Sequence, residues 1–120
     1  MAKIQIKRVY DERAAEDGER VLVDRLWPRG ITKEQLQAEW LRDVSPSNDL
    51  RKWAHTSGDY AGFRERYAEE LAQSPASEAL EDLLARARAG TLTLLFAAKD
   101  TEHNNAAVLR EHLLQLLSTG

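Results

Sequence analysis

The run Val21-Leu22-Val23-Asp24-Arg25-Leu26-Trp27-Pro28-Arg29-Gly30 changes character half-way along. Its three leading apolar residues, Val21 to Val23, need cover on both sides, as in a parallel strand held between two layers. Asp24, Arg25 and Arg29 need water, one another or a ligand. A buried strand from about Arg20 to Arg25 is therefore predicted. It stops before Pro28, which cannot donate to a ladder and holds Trp27 extended. The loop that follows gathers an aspartate, two arginines and a tryptophan at the strand's carboxyl end.

Upstream, Ile4 and Ile6 alternate with polar residues, the pattern of a strand with one wet face near a sheet edge. Asp11 to Glu19 is polar and carries no strand pattern, so a solvated connection with at most a helical turn is expected there. Downstream, Thr32 and Gln35 have the spacing of a capping box, and Ile31 with Leu36 that of a hydrophobic staple, predicting a short helix from Lys33 to about Glu39. Trp40 and Leu41 return to the core as a short strand or as the last turn of that helix. Ser45-Pro46-Ser47 is a breaker followed by a cap, and Leu50, Trp53 and Ala54 follow at helical spacing. Tyr60, Phe63, Tyr67 and Leu71 fall in one stripe of a helix beginning near Asp59, a packing face rather than a base-stacking platform. Ser74-Pro75 reads as an N-cap with proline at the first helical position, ahead of an apolar face from Ala76 to Ala87 that Gly90 ends.

Thr91 to Ala98 is unbroken by polar residues after Thr93, as a central strand covered on both faces must be. Lys99 to Asn105 turns the chain into a last helix with Ala106, Leu109, Leu113, Leu116 and Leu117 on one stripe, capped by Asn104 or Asn105. Strands interleaved with helices predict a small, mostly parallel sheet with helices on both faces, a Rossmann-like three-layer α/β sandwich with right-handed crossovers. Ligands bind such sheets beyond the carboxyl ends of the strands. The strands at Val21–Arg25 and Thr91–Ala98 are expected to be adjacent and parallel, so that their polar ends face one cleft.

Composition narrows the function classes. The 120 residues suit one domain, and 42% hydrophobic residues suffice for a single core. A net charge of -3, from 17 basic and 20 acidic residues, argues against a general polyanion binder. No predicted helix is clearly basic, which ranks a DNA-binding regulator last. Without cysteine there are no disulfides and no thiolate metal sites, and the chain fits a reducing cytoplasm. No apolar run approaches the roughly 18 residues of a membrane span.

Two clusters carry the chemistry. Asp24 and Asp100 are the candidate catalytic carboxylates. Arg25, Trp27, Arg29, Lys99, His103, Asn104 and Asn105 are candidate ligand-binding residues, since loop cations beside a helix start suit an anion. Against these readings, Asp24 or Arg25 could form a structural ion pair, Trp27 could plug the core, and one asparagine should merely cap the helix. A metal site from Asp100, His103 and His55 lacks ligand spacing, so no metal is expected. No Ser-His-Asp arrangement, Walker loop or GxGxxG is present, and no cofactor is expected.

Both clusters also carry a resemblance. Val23-Asp24-Arg25-Leu26-Trp27-Pro28-Arg29-Gly30, Pro46-Ser47 with Leu50-Arg51-Lys52-Trp53, Phe63 with Arg66-Tyr67 and Glu70-Leu71, then Leu94-Leu95, Ala97-Ala98-Lys99-Asp100 and His103-Asn104-Asn105-Ala106 resemble the YeaO-like family of small bacterial proteins, domain of unknown function 488. The resemblance covers almost the whole chain, and through its second motif Arg51 joins the ligand-binding candidates. It implies an α/β fold and a cytoplasmic bacterial protein, and more remotely a relation to Rossmann-like domains that bind or cleave nucleosides. The expected function is a cleft for an anionic, phosphate-bearing and nucleotide-like ligand. The alternative is an enzyme on a nucleoside-like substrate, of N-glycosidase or hydrolase type, with Asp24 or Asp100 acting at a sugar carbon.

Overall fold

The computed structural model describes residues 3–119. Four parallel strands, β1 (Ile4–Arg8), β2 (Glu19–Leu22), β3 (Glu39–Trp40) and β4 (Leu92–Phe96), form one sheet in the order β1-β4-β2-β3. The most apolar strand is central, as its composition requires: β4 pairs with β1 through Ile4 to Arg8 and with β2 through Glu19 to Leu22. The expected parallel neighbours are thus paired, and β1 lies at the edge.

The helices are α1 (Lys33–Leu36), α2 (Asn48–Ser57), α3 (Tyr60–Leu71), α4 (Ala76–Ala89) and α5 (Asn105–Thr119). On one sheet face Ile4, Val21, Leu92, Leu94 and Phe96 pack against α2 to α5 in the main core. On the other, Leu22 and Leu95 meet Val9 and Leu36, with Trp27, Ile31 and Trp40 closing a smaller core under α1. Both faces are covered, but the covering layers are unequal. Among the described residues no helix is long and apolar enough to cross a membrane.

Several element ends differ from expectation. β2 stops at Leu22, because past Val23 the next ladder groups, the Ala97 amide and the Val23 carbonyl, are taken by the side chains of Asp24 and Asn105, so Asp24 and Arg25 belong to the loop; the two-residue β3 pairs Val21 with Glu39 and Leu22 with Trp40. Trp40 is therefore strand, and its indole donates to the Asp24 carbonyl at 2.7 Å. The capping box at Thr32 and Gln35 forms, yet α1 lasts a single turn before Gln37 takes a left-handed conformation with φ of 47°. Pro75 occupies the cap of α4 rather than its first helical position, and Ser74 bonds to Glu78 instead.

The largest departure lies between β1 and β2. The polar segment contains a 3-10 turn, Ala15–Asp17, whose Asp17 is buried beneath the sheet rather than solvated. Its carboxylate accepts from Arg20 at 2.6 Å and from Lys7 at 2.9 Å, while Thr93 donates to its carbonyl. Burial opposes ionisation, but the Ala14 amide, Lys7 and Arg20 outweigh it and hold the carboxyl at about 2.

Candidate ligand-binding cleft

A cleft of about 990 Å³ opens at the carboxyl ends of β2 and β4. Its floor is Asp24, just beyond β2, which is bonded both to the residue after β4 and to the first residue of α5. The Ala97 amide donates to one carboxylate oxygen at 2.9 Å, and the Asn105 side-chain amide donates to the other at 3.0 Å. Burial raises the Asp24 carboxyl above its usual range, opposed by these two hydrogen bonds and by the charge of Arg51. Asp24 makes no ion pair among the described residues, so the structural pairing considered from sequence does not form.

Arg25 lines the cleft as well, but its guanidinium is already engaged. Its guanidinium donates to the carbonyls of Pro46 at 2.8 Å and Ser45 at 3.4 Å, tying the β2 loop to the start of α2. That start is fixed further by Ser47, which caps the Leu50 amide while its own amide and hydroxyl donate to the Glu70 carboxylate of α3. The ties position Arg51, half-buried and lining the cleft with Lys52. Arg29 is exposed on the rim, where the Tyr10 hydroxyl holds its carbonyl at 2.9 Å. Arg29 has no side-chain partner among the described residues, and Arg51 has only Asn48 at 3.5 Å.

The remaining candidates divide between cleft and scaffold. Trp27 lines the cleft, but its ring packs edge-on against Trp40 at 5.4 Å and its indole donates to the Ile31 carbonyl, so it is chiefly a core residue. Asn104 caps α5 through the Ala107 amide and bonds to the Asp100 carbonyl. Asn105, left unexplained by capping, bridges the Val23 carbonyl to Asp24. Asp100 is exposed and caps the Glu102 and His103 amides, which lower its carboxyl. His103 lies against the Tyr60 ring, with centroids 4.6 Å apart. Lys99, the other loop cation among the candidates, is exposed and does not line the cleft, so it does not join Arg29 there.

Sequence reasoning missed the far wall. Tyr60 and Phe63 fall on the packing stripe of α3, and Phe63 is indeed buried. Both also line the cleft, because Gly58 turns α2 into α3 at its mouth with a left-handed φ of 65°. Among the described residues no group of three His, Asp or Glu side chains is placed to hold a metal.

A family model described as the inactive DUF488-N3 subclade matches residues 3–120. The chain belongs to that family. Within DUF488, YeaO of Escherichia coli K12, described as uncharacterized, is 49% identical over 116 residues, 94% of this chain and 98% of YeaO. The uncharacterized protein Rv3073c of Mycobacterium tuberculosis H37Rv and Mb3100c of Mycobacterium bovis are each 39% identical over 113 residues, 92% of this chain and 93% of theirs. No solved structure matches this DUF488 chain.

Proposed function

We propose that the cleft binds a phosphate-bearing, nucleotide-like small molecule in the cytoplasm and performs no chemistry on it. One observation carries this reading. Arg29, Arg51 and Lys52 stand on the cleft with no carboxylate partner among the described residues, in a chain that is acidic overall. Cations left unpaired at the mouth of a pocket repel one another until an anion arrives, and arginine suits phosphate because its donors are forked. Tyr60, Phe63 and Trp27 add apolar wall for a planar group. The subclade's description as inactive supports binding without turnover.

The second reading, an enzyme on a nucleoside-like substrate, is favoured by Asp24, a raised carboxyl on the cleft with no ion pair among the described residues. Against it, both Asp24 oxygens are already held by donors, which spreads their charge and weakens them as nucleophiles. Thermal shift against phosphate, sugar phosphates and nucleotides tests the binding reading, since a ligand of the native state raises Tm. The expected result is a rise with phosphate-bearing compounds and no product after long incubation. A flat panel overturns the binding reading, and a released base or sugar favours the enzyme.

A further inference from the structure

We propose that Asp24 and Asn105 together read a vicinal diol, so that the phosphate compound held by the cleft is one whose sugar carries adjacent free hydroxyls. The inference rests on the phosphate-binding reading above and adds what decides among its ligands.

Asn105 directs its Nδ2 at two acceptors, the Val23 carbonyl at 3.1 Å and Asp24 Oδ1 at 3.0 Å, and this fixes the orientation of the amide. Its Oδ1 then accepts no hydrogen bond from the described residues, yet it is not sealed from solvent, since among those residues the one buried side-chain atom lacking a partner is Arg20 Nε. Each Asp24 oxygen accepts one protein hydrogen bond and keeps a lone pair in reserve. The two touching side chains therefore offer acceptors to the cleft, with the Asn105 amide hydrogens already turned inward.

An acceptor pair calls for a donor pair, and charge decides which one. A bare carboxylate would suit an ammonium group, but the charge of Arg51 already acts on Asp24. Neutral donors fit better, and two adjacent sugar hydroxyls supply them at the spacing of neighbouring atoms. Arg51 and Arg29 lie on the same cleft and are free to take the phosphate of that molecule. Because Asp24 is anchored by backbone and side chain alike, the acceptors are set before the ligand arrives.

Calorimetric titration with inorganic phosphate, ribose 5-phosphate and 2-deoxyribose 5-phosphate tests this. Ribose 5-phosphate should bind about tenfold more tightly than its deoxy analogue, the value of one hydrogen bond to a charged group. Asp24→Asn, which turns donors towards the ligand, should bring that ratio to about one. Equal affinities of the wild type for the two sugars overturn the inference and leave phosphate binding standing. Failure of all three compounds to bind removes the phosphate reading and this inference with it. The wild-type comparison decides the matter even where Asp24→Asn folds poorly.

Discussion

The carboxylate of Asp24 and the side-chain amide of Asn105 meet at 3.0 Å across 81 residues of sequence, joining the end of β2 to the first turn of α5. A half-buried aspartate with no ion pair among the described residues is thereby held at the cleft floor. The structural cost of its charge falls on folding, and the cost depends on pH.

Because burial raises the native carboxyl of Asp24 above 3.8, the folded chain holds this proton more tightly than the unfolded chain does. Its contribution to stability is full below 3.8 and is lost as pH rises through the native value. The denaturation midpoint of the wild type relative to Asp24→Asn should therefore fall as pH rises above 3.8. A difference that stays constant from about pH 3 to about pH 8 would show that Asp24 titrates normally.

Asp17 behaves in the opposite sense. Its carboxyl is held at about 2 in the folded protein, so its contribution is present above 3.8 and is lost as pH falls towards 2. Asp17→Ala should cost about 3 to 5 kcal/mol at neutral pH by stranding the buried Arg20, and should abolish that acid step. Urea denaturation of both proteins at neutral and acid pH measures the two effects.

Leu94 and Leu95 are both fully buried, but they face different cores, Leu94 the larger and Leu95 the smaller one under α1. Either one replaced by alanine should destabilise by about 2 to 5 kcal/mol. A Leu95→Ala midpoint that hardly moves would mean that the thin layer of α1 leaves that face able to collapse.

Arg29→Ala should weaken phosphate binding without lowering Tm, because the Arg29 side chain has no partner to lose among the described residues. Lys99→Ala should leave both unchanged, since Lys99 lies off the cleft. Titration with inorganic phosphate beside thermal melts separates these outcomes, and a loss of binding in the lysine variant alone would reverse the assignment.

What could be read from the sequence was what short-range periodicity and capping determine. Thr32 with Gln35, Ser47 ahead of α2 and the α3 stripe are local patterns, and all form. The cleft at the ends of β2 and β4 was legible too, because polar clusters ended the two most apolar strands. Properties set by distant partners were not legible. Asp17 sits in a segment whose composition reads as solvent-exposed, and only folding brings Lys7 and Arg20 around it. Asn105 looked like a spare cap because Asp24 is remote in sequence. Lys99 was misplaced for a related reason: it lies beyond the end of β4, where strand alternation no longer fixes which way a side chain turns.

The sheet order has a consequence for how the molecule comes into being. β4 is the last strand in the chain, yet it lies between the first two, so Gln5 waits 88 positions for Thr93. A nascent chain lacking β4 has β1 and β2 with no strand between them, and two edges open to the wrong partner. Helices α2 to α4 emerge before the surface they cover exists. Folding should therefore be late and slow for the chain's size, gated by entry of the central strand. Ribosome-bound fragments ending before Leu92 should remain sensitive to protease, with protection arriving abruptly once Phe96 has cleared the exit tunnel.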